Sequence, residues 1–141
     1  MLASVLPGCI TYPIYKTLQP ASQMIVLDES NVPIEGASVR LTTDYVPFGS
    51  PAHEIKLTDE RGIAAFEHRS EWQTESWFMH GTRHYDWYWC VQKPGFRTYL
   101  TSWGTGNIFQ PQATIHLARG PSLECEQAQK ESNDRARARR G

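Results

Sequence analysis

The sequence predicts an all-β protein, an antiparallel sandwich of about seven strands. Three observations point there. Two polar turns, Asp28-Glu-Ser-Asn-Val-Pro-Ile-Glu-Gly36 and Asp59-Glu-Arg-Gly62, each feed an alternating run, Ala37/Val39/Leu41 and Ala64/Phe66, that points one face of a sheet at a core. The stretch His84-Tyr-Asp-Trp-Tyr-Trp-Cys-Val-Gln-Lys93 is aromatic nearly throughout, as a central strand covered on both faces would be. Turn signals recur every 8–12 residues or so along the middle of the chain.

With 141 residues there is room for one core and its appendages. Hydrophobic content of 40 % and charged content of 21 % are ordinary for a globular protein, and a net charge of -1 excludes a broad electrostatic grip on nucleic acid. Five Trp and six Tyr are many for this length, and such rings belong either in cores or at contact surfaces. No run of about 18 apolar residues is present to span a bilayer as a helix.

Met1 to Gly8 is apolar, lacks a positive n-region and leads into Cys9, as the last part of a secretory signal would. Leu6-Pro-Gly-Cys9 resembles the lipobox of bacterial lipoproteins, which implies acylation at Cys9 and a place in the cell envelope, anchored to the outer membrane and facing the periplasm. Residues 1–22 are therefore expected to be leader and tether, with Pro13 and Pro20 keeping Ile10–Ser22 extended.

Residues 23–120 form the expected sandwich. Its strands are Gln23–Asp28, Ala37–Thr43, His53–Thr58, Ile63–His68, His84–Lys93, Phe96–Ser102 and Ala113–Ala118. Asp44–Ala52 holds two prolines and a glycine and reads as a loop, in which Tyr45 and Phe48 either offer a contact surface or fold back over the core. Arg69–Arg83 fits neither period and is open between a short helix over Glu71–Met79 and an aromatic loop carrying Trp72, Trp77 and Phe78. Loops on a rigid sandwich carry most specific contacts, so Tyr45, Phe48, Trp72, Trp77 and Phe78 are the candidate interaction residues. Residues 121–141 turn abruptly polar and end Arg135-Ala-Arg-Ala-Arg-Arg140, a disordered tail or a frayed helix.

The order Asp28…Pro33-Ile-Glu-Gly-Ala-Ser-Val39, Thr58-Asp-Glu-Arg-Gly…Phe66 and Val91-Gln-Lys-Pro-Gly-Phe96 resembles the carboxypeptidase regulatory-like domain, a transthyretin-like (prealbumin-like) sandwich, from about Met24 to Leu117. The resemblance implies a small module without catalysis, acting as an adhesion, folding or ligand-contact element on an envelope protein or cell-wall component. It implies no cofactor.

The chemistry-bearing residues are few. His80-Gly-Thr-Arg-His84 has a spacing that brings two imidazoles together on a helix, but Gly81 weakens that helix and no further ligand stands at zinc-like spacing. An enzyme alternative comes from a transthyretin-like hydrolase that ends in Tyr-Arg-Gly-Ser; here Leu117-Ala-Arg-Gly-Pro121 keeps Arg119 and Gly120 and lacks the tyrosine and serine. Gly-x-Ser-x-Gly is absent. Cys90 and Cys125 are candidates for a disulfide in an oxidising compartment, the other outcome being a buried thiol and a free one.

Overall fold

In the computed structural model, which describes residues 10–46, 49–76, 84–101 and 109–141, the chain folds into nine strands and one helix. The strands are β1 (Thr11–Gln19), β2 (Ser22–Asp28), β3 (Ser38–Val46), β4 (Ala52–Leu57), β5 (Ile63–Phe66), β6 (Arg69–Ser76), β7 (His84–Gln92), β8 (Tyr99–Leu100) and β9 (Gln112–Leu117). The helix α1 spans Cys125–Ala138. Cys9, Phe48, Trp77, Phe78 and His80 lie outside the described residues.

Two sheets make the body. One has the order β5-β2-β9, with β2 antiparallel to β5 and parallel to β9, so it is mixed. The other, β4-β3-β7-β8, is antiparallel throughout. Period-2 alternation drives both into one core: Met24, Val26, Ala64, Phe66, Ile115 and Leu117 from the first sheet meet Val39, Leu41, Trp89 and Val91 from the second. Trp89 is the centrepiece, 2 % exposed, with its ring 5.4 Å from Phe66 and 5.5 Å from Phe109. Its indole N–H, which burial would otherwise orphan, donates to the Gln110 carbonyl at 3.1 Å.

The two organising turns follow one plan. Asp28 Oδ1 accepts the N–H groups of Ser30 and Val32, and Asn31 takes the left-handed conformation (φ 63°). Asp59 Oδ1 accepts those of Arg61 and Ile63, with Gly62 left-handed (φ 74°). Only glycine fits at 62, because a Cβ there would stand 2.4 Å from the Val26 carbonyl oxygen. The backbone hydrogen bonds accepted by Asp59, from Ile63 above all, hold its carboxyl below the usual range.

Two differences from the sequence expectation stand out. The described residues form nine strands, not about seven, and the parallel β2–β9 pair makes the architecture mixed. The expected tether at Ile10–Ser22 is instead β1, and the segment left open between helix and aromatic loop is β6; the two pair antiparallel as a separate ribbon. An edge strand tolerates Pro13, which is why the proline does not break it. Of the two alternatives left for the polar tail, disorder or a frayed helix, the structure has the helix, α1, held at its first residue to the sheet. In β4, Ile55 and Leu57 share the outward face (54 % and 66 % exposed), while Glu54 and Lys56 face in, an arrangement that blunts an edge strand.

Thr58 ties the end of β4 to the segment between β2 and β3. It is 4 % exposed, donates to the Ile34 carbonyl at 2.6 Å and accepts the Ala37 N–H at 2.8 Å. Thr58→Val keeps the shape and orphans two buried backbone groups, so it is expected to lower stability by about 2–3 kcal/mol. Urea unfolding with an unchanged slope is the check; a shift in midpoint within error would mean that water replaces the hydroxyl.

Candidate functional site

Alternation along β1 and β6 gives the ribbon two unlike faces. The inner one pairs Tyr12 with Glu75, Ile14 with Gln73 and Lys16 with Glu71. Within the ribbon, Glu75, 7 % exposed, is ion-paired with Lys16 and accepts from the Tyr12 hydroxyl at 3.2 Å; Gln73 ties the ribbon to the body, exchanging hydrogen bonds with the Tyr85 hydroxyl at 2.8 and 3.1 Å. Desolvation, then the hydrogen bond to Glu75, pushes the Tyr12 phenol above its ordinary pKa.

The outer face consists of the cross-strand pairs Thr11/Ser76, Pro13/Thr74, Tyr15/Trp72 and Thr17/Ser70. Tyr15 and Trp72 are 59 % and 71 % exposed, with ring centroids 5.2 Å apart and planes tilted by 52°. Two large rings side by side in solvent, on a framework of hydroxyls, form the candidate contact surface.

A bulge fixes the ribbon to the body. The register slips between Thr17 and Gln19, which leaves Leu18 without a partner in the ladder, and the Leu18 carbonyl accepts the Trp87 indole N–H at 2.8 Å. Gln19, 1 % exposed, donates to Glu54 and to the Glu67 carbonyl and accepts from Arg69, at 2.9, 3.0 and 2.8 Å. Every hydrogen-bonding atom of that buried amide side chain is thereby in use or shared.

Of the residues the sequence singled out, Trp72 is on this outer face, and its neighbour is Tyr15, from the segment expected to be a tether. Tyr45 is not in a loop. It is the cross-strand partner of Tyr85 in β3, half-buried with its ring 5.8 Å from that ring, beside a cleft of about 310 Å³ lined also by Leu18, Arg69 and Gln73. His84 stands exposed at the start of β7, and among the described residues no group of three or more His, Cys, Asp or Glu side chains is placed to hold a metal ion. Arg119 lies over the Phe96 ring, its guanidinium carbon 4.4 Å from the centroid.

Cys90 and Cys125 are joined as a disulfide with their Cα atoms 6.1 Å apart. Cys90 belongs to the face of β7 opposite Trp89, and α1 lies against that face. Gln92 from the sheet accepts the Cys125 N–H at 3.1 Å, which supplies one of the helix's first free amides with a partner, since Glu124 makes no side-chain cap. Arg40 reaches from β3 to Glu126, and the Tyr88 hydroxyl donates to Asp44 at 2.8 Å. Desolvation, helped by Asp44, pushes the Tyr88 phenol far up, so it is a fixed donor there. Helix and sheet enclose a groove of about 480 Å³ walled by Arg40, Tyr88 and Asn133 among others.

In comparisons with known proteins, no family model matches this chain, and neither a curated protein nor a solved structure is significantly similar to it. The functional assignment therefore rests on the site itself.

Two outcomes follow for the latch. Isolated polar helices of this length are marginal in water, so Cys125→Ser is expected to strip α1 of amide exchange protection while the sandwich keeps its own. Stability should fall by at most about 3–4 kcal/mol, the chain-entropy worth of a closed loop of this size. The hydrogen bond from Arg40 holds the Glu126 carboxyl below its usual pKa. Its contribution is thus present above the ordinary carboxylate range and lost as pH falls through the lowered value. An NMR titration should place the Glu126 midpoint below the ordinary carboxylate range, and Arg40→Ala should raise it.

Proposed function

We propose that this chain is a non-catalytic, lipid-anchored envelope module, transthyretin-like in the manner of the carboxypeptidase regulatory-like domain. Its anchor is Cys9 at the periplasmic face of the outer membrane, and its contact surface is the outer face of the β1–β6 ribbon. The observation that carries the contact reading is the Tyr15–Trp72 pair, placed side by side in solvent by a register the rest of the ribbon enforces. Rings of that size are ordinarily buried, and an exposed pair on a rigid support favours binding.

Two further features support it. The Cys90–Cys125 bridge suits an oxidising compartment such as the periplasm. The inner polar side chains, from Glu75 to Gln19, are engaged with one another and so serve the framework. Contact of this kind needs no chemistry at the site, only a surface held still.

The test has two arms. Secreted from a bacterial host behind a full leader, the chain is expected to carry lipid at Cys9 and to partition into the detergent phase, and Cys9→Ala to lose the lipid and be released into the aqueous phase. On that released background, Tyr15→Ala/Trp72→Ala should abolish sedimentation with isolated envelopes while melting shifts by no more than about 3 °C. An unmodified product would remove the anchor; undiminished sedimentation of the double variant would remove the ribbon.

A further inference from the structure

We infer that the ribbon's outer face is a platform for a neutral polysaccharide strand, with one sugar ring seated on Trp72 and Tyr15. It rests on the ribbon being the contact surface proposed above, and it names what that surface takes.

Charge is the first ground. The ribbon holds Lys16, Glu71 and Glu75 on its inner face, yet the four outward pairs contain no residue charged at neutral pH. A charged ligand would give up its hydration there for no counter-charge, whereas a neutral one gives up far less.

The second is the kind of group on offer. Besides two rings, the face presents Pro13 and the hydroxyls of Thr11, Thr74 and Ser76, while the Ser70 hydroxyl is shared with His68 at 2.6 Å and Thr17 at 3.5 Å. A pyranose has both complements. Its C–H face packs against the electron-rich face of an aromatic ring, and its rim of hydroxyls meets Ser and Thr hydroxyls that either donate or accept. With planes tilted by 52°, one ring lies beneath the sugar while the other closes on its edge.

The third is size. From Thr11/Ser76 to Thr17/Ser70 is six residue steps, roughly 20 Å, and two strands are about 10 Å across, a strip of about 200 Å². A specific protein partner covers about 800 Å². A narrow, elongated strip fits an extended chain of linked rings far better than it fits a folded partner.

The full chain is tested for binding to insoluble chitin, to cellulose and to bacterial sacculi stripped of protein by detergent and protease. It is also titrated with chitohexaose and cellohexaose while tryptophan emission is followed. Saturable binding to at least one of these is expected, equal at low and high salt because no ion pair contributes. Trp72→Ala and Tyr15→Ala should each weaken it about tenfold or more, and Trp72→Phe should retain most of it. Thr74→Asp, which sets a carboxylate on the platform without removing a ring, should also weaken it and serves if an alanine variant does not fold.

No binding across the set, binding abolished by salt, or binding untouched by the alanine or Thr74→Asp changes overturns the inference. Ribbon-dependent sedimentation with whole envelopes that disappears on protein-stripped sacculi would also overturn it, while leaving the ribbon as a contact surface for a protein.

Discussion

The joint at Leu18 and Gln19 is what allows a two-stranded ribbon to exist on this protein. A lone pair of strands is marginal in water, and β1 and β6 bury little apolar surface of their own. The bulge turns the Leu18 carbonyl out of the ladder and onto the Trp87 indole, and the next residue sinks its amide among Glu54, Glu67 and Arg69. Each hydrogen bond is worth only about 1 kcal/mol net, but leaving those groups buried and unmade would cost more. The ribbon is thus held by satisfaction of polar groups, where the sandwich is held by burial of Trp89 and its neighbours.

That difference determines which face the ribbon shows. Side chains alternate strictly along a strand, so anchoring Lys16, Gln73 and Glu75 inward commits Tyr15 and Trp72 to solvent. A slip of one residue would bury the rings and strand the Lys16–Glu75 pair outside; the buried carboxylate specifies the register. Burying an ion pair adds little stability in itself, and a register role is the best-attested reason to keep one.

The sequence made the sandwich's inner faces and both Asp-led turns legible because they follow strict rules: period-2 apolar runs, a left-handed residue three places after an aspartate, and glycine where a Cβ cannot fit. It hid β1 and β6 because their inner residues are Tyr12, Lys16, Gln73 and Glu75, which an apolar template does not count as inward. Trp72 was visible as a candidate, but its neighbour was not. Tyr15 meets it only through a pairing register, and no local pattern encodes which distant strand a strand will choose. The tail offered the same difficulty, since α1 is polar all round and is located by Cys125, Gln92 and Arg40 instead of by an apolar stripe.

β7 serves both attachments with opposite faces. Its inner side chains, Tyr85, Trp87 and Trp89, carry the ribbon and the core; its outer ones, Cys90 and Gln92, carry α1. Among the described residues, Trp87, Gln19, Arg69 and Tyr85, which hold the ribbon, bond to partners other than α1, so the two attachments are separated by the thickness of a sheet. Changes at sites without shared partners add independently. Opening the disulfide should therefore uncover the Arg40–Tyr88 groove without moving Tyr15 or Trp72. The anchoring of the ribbon does not depend on the disulfide, so the Tyr15–Trp72 pair keeps its place whether Cys90 and Cys125 are joined or not.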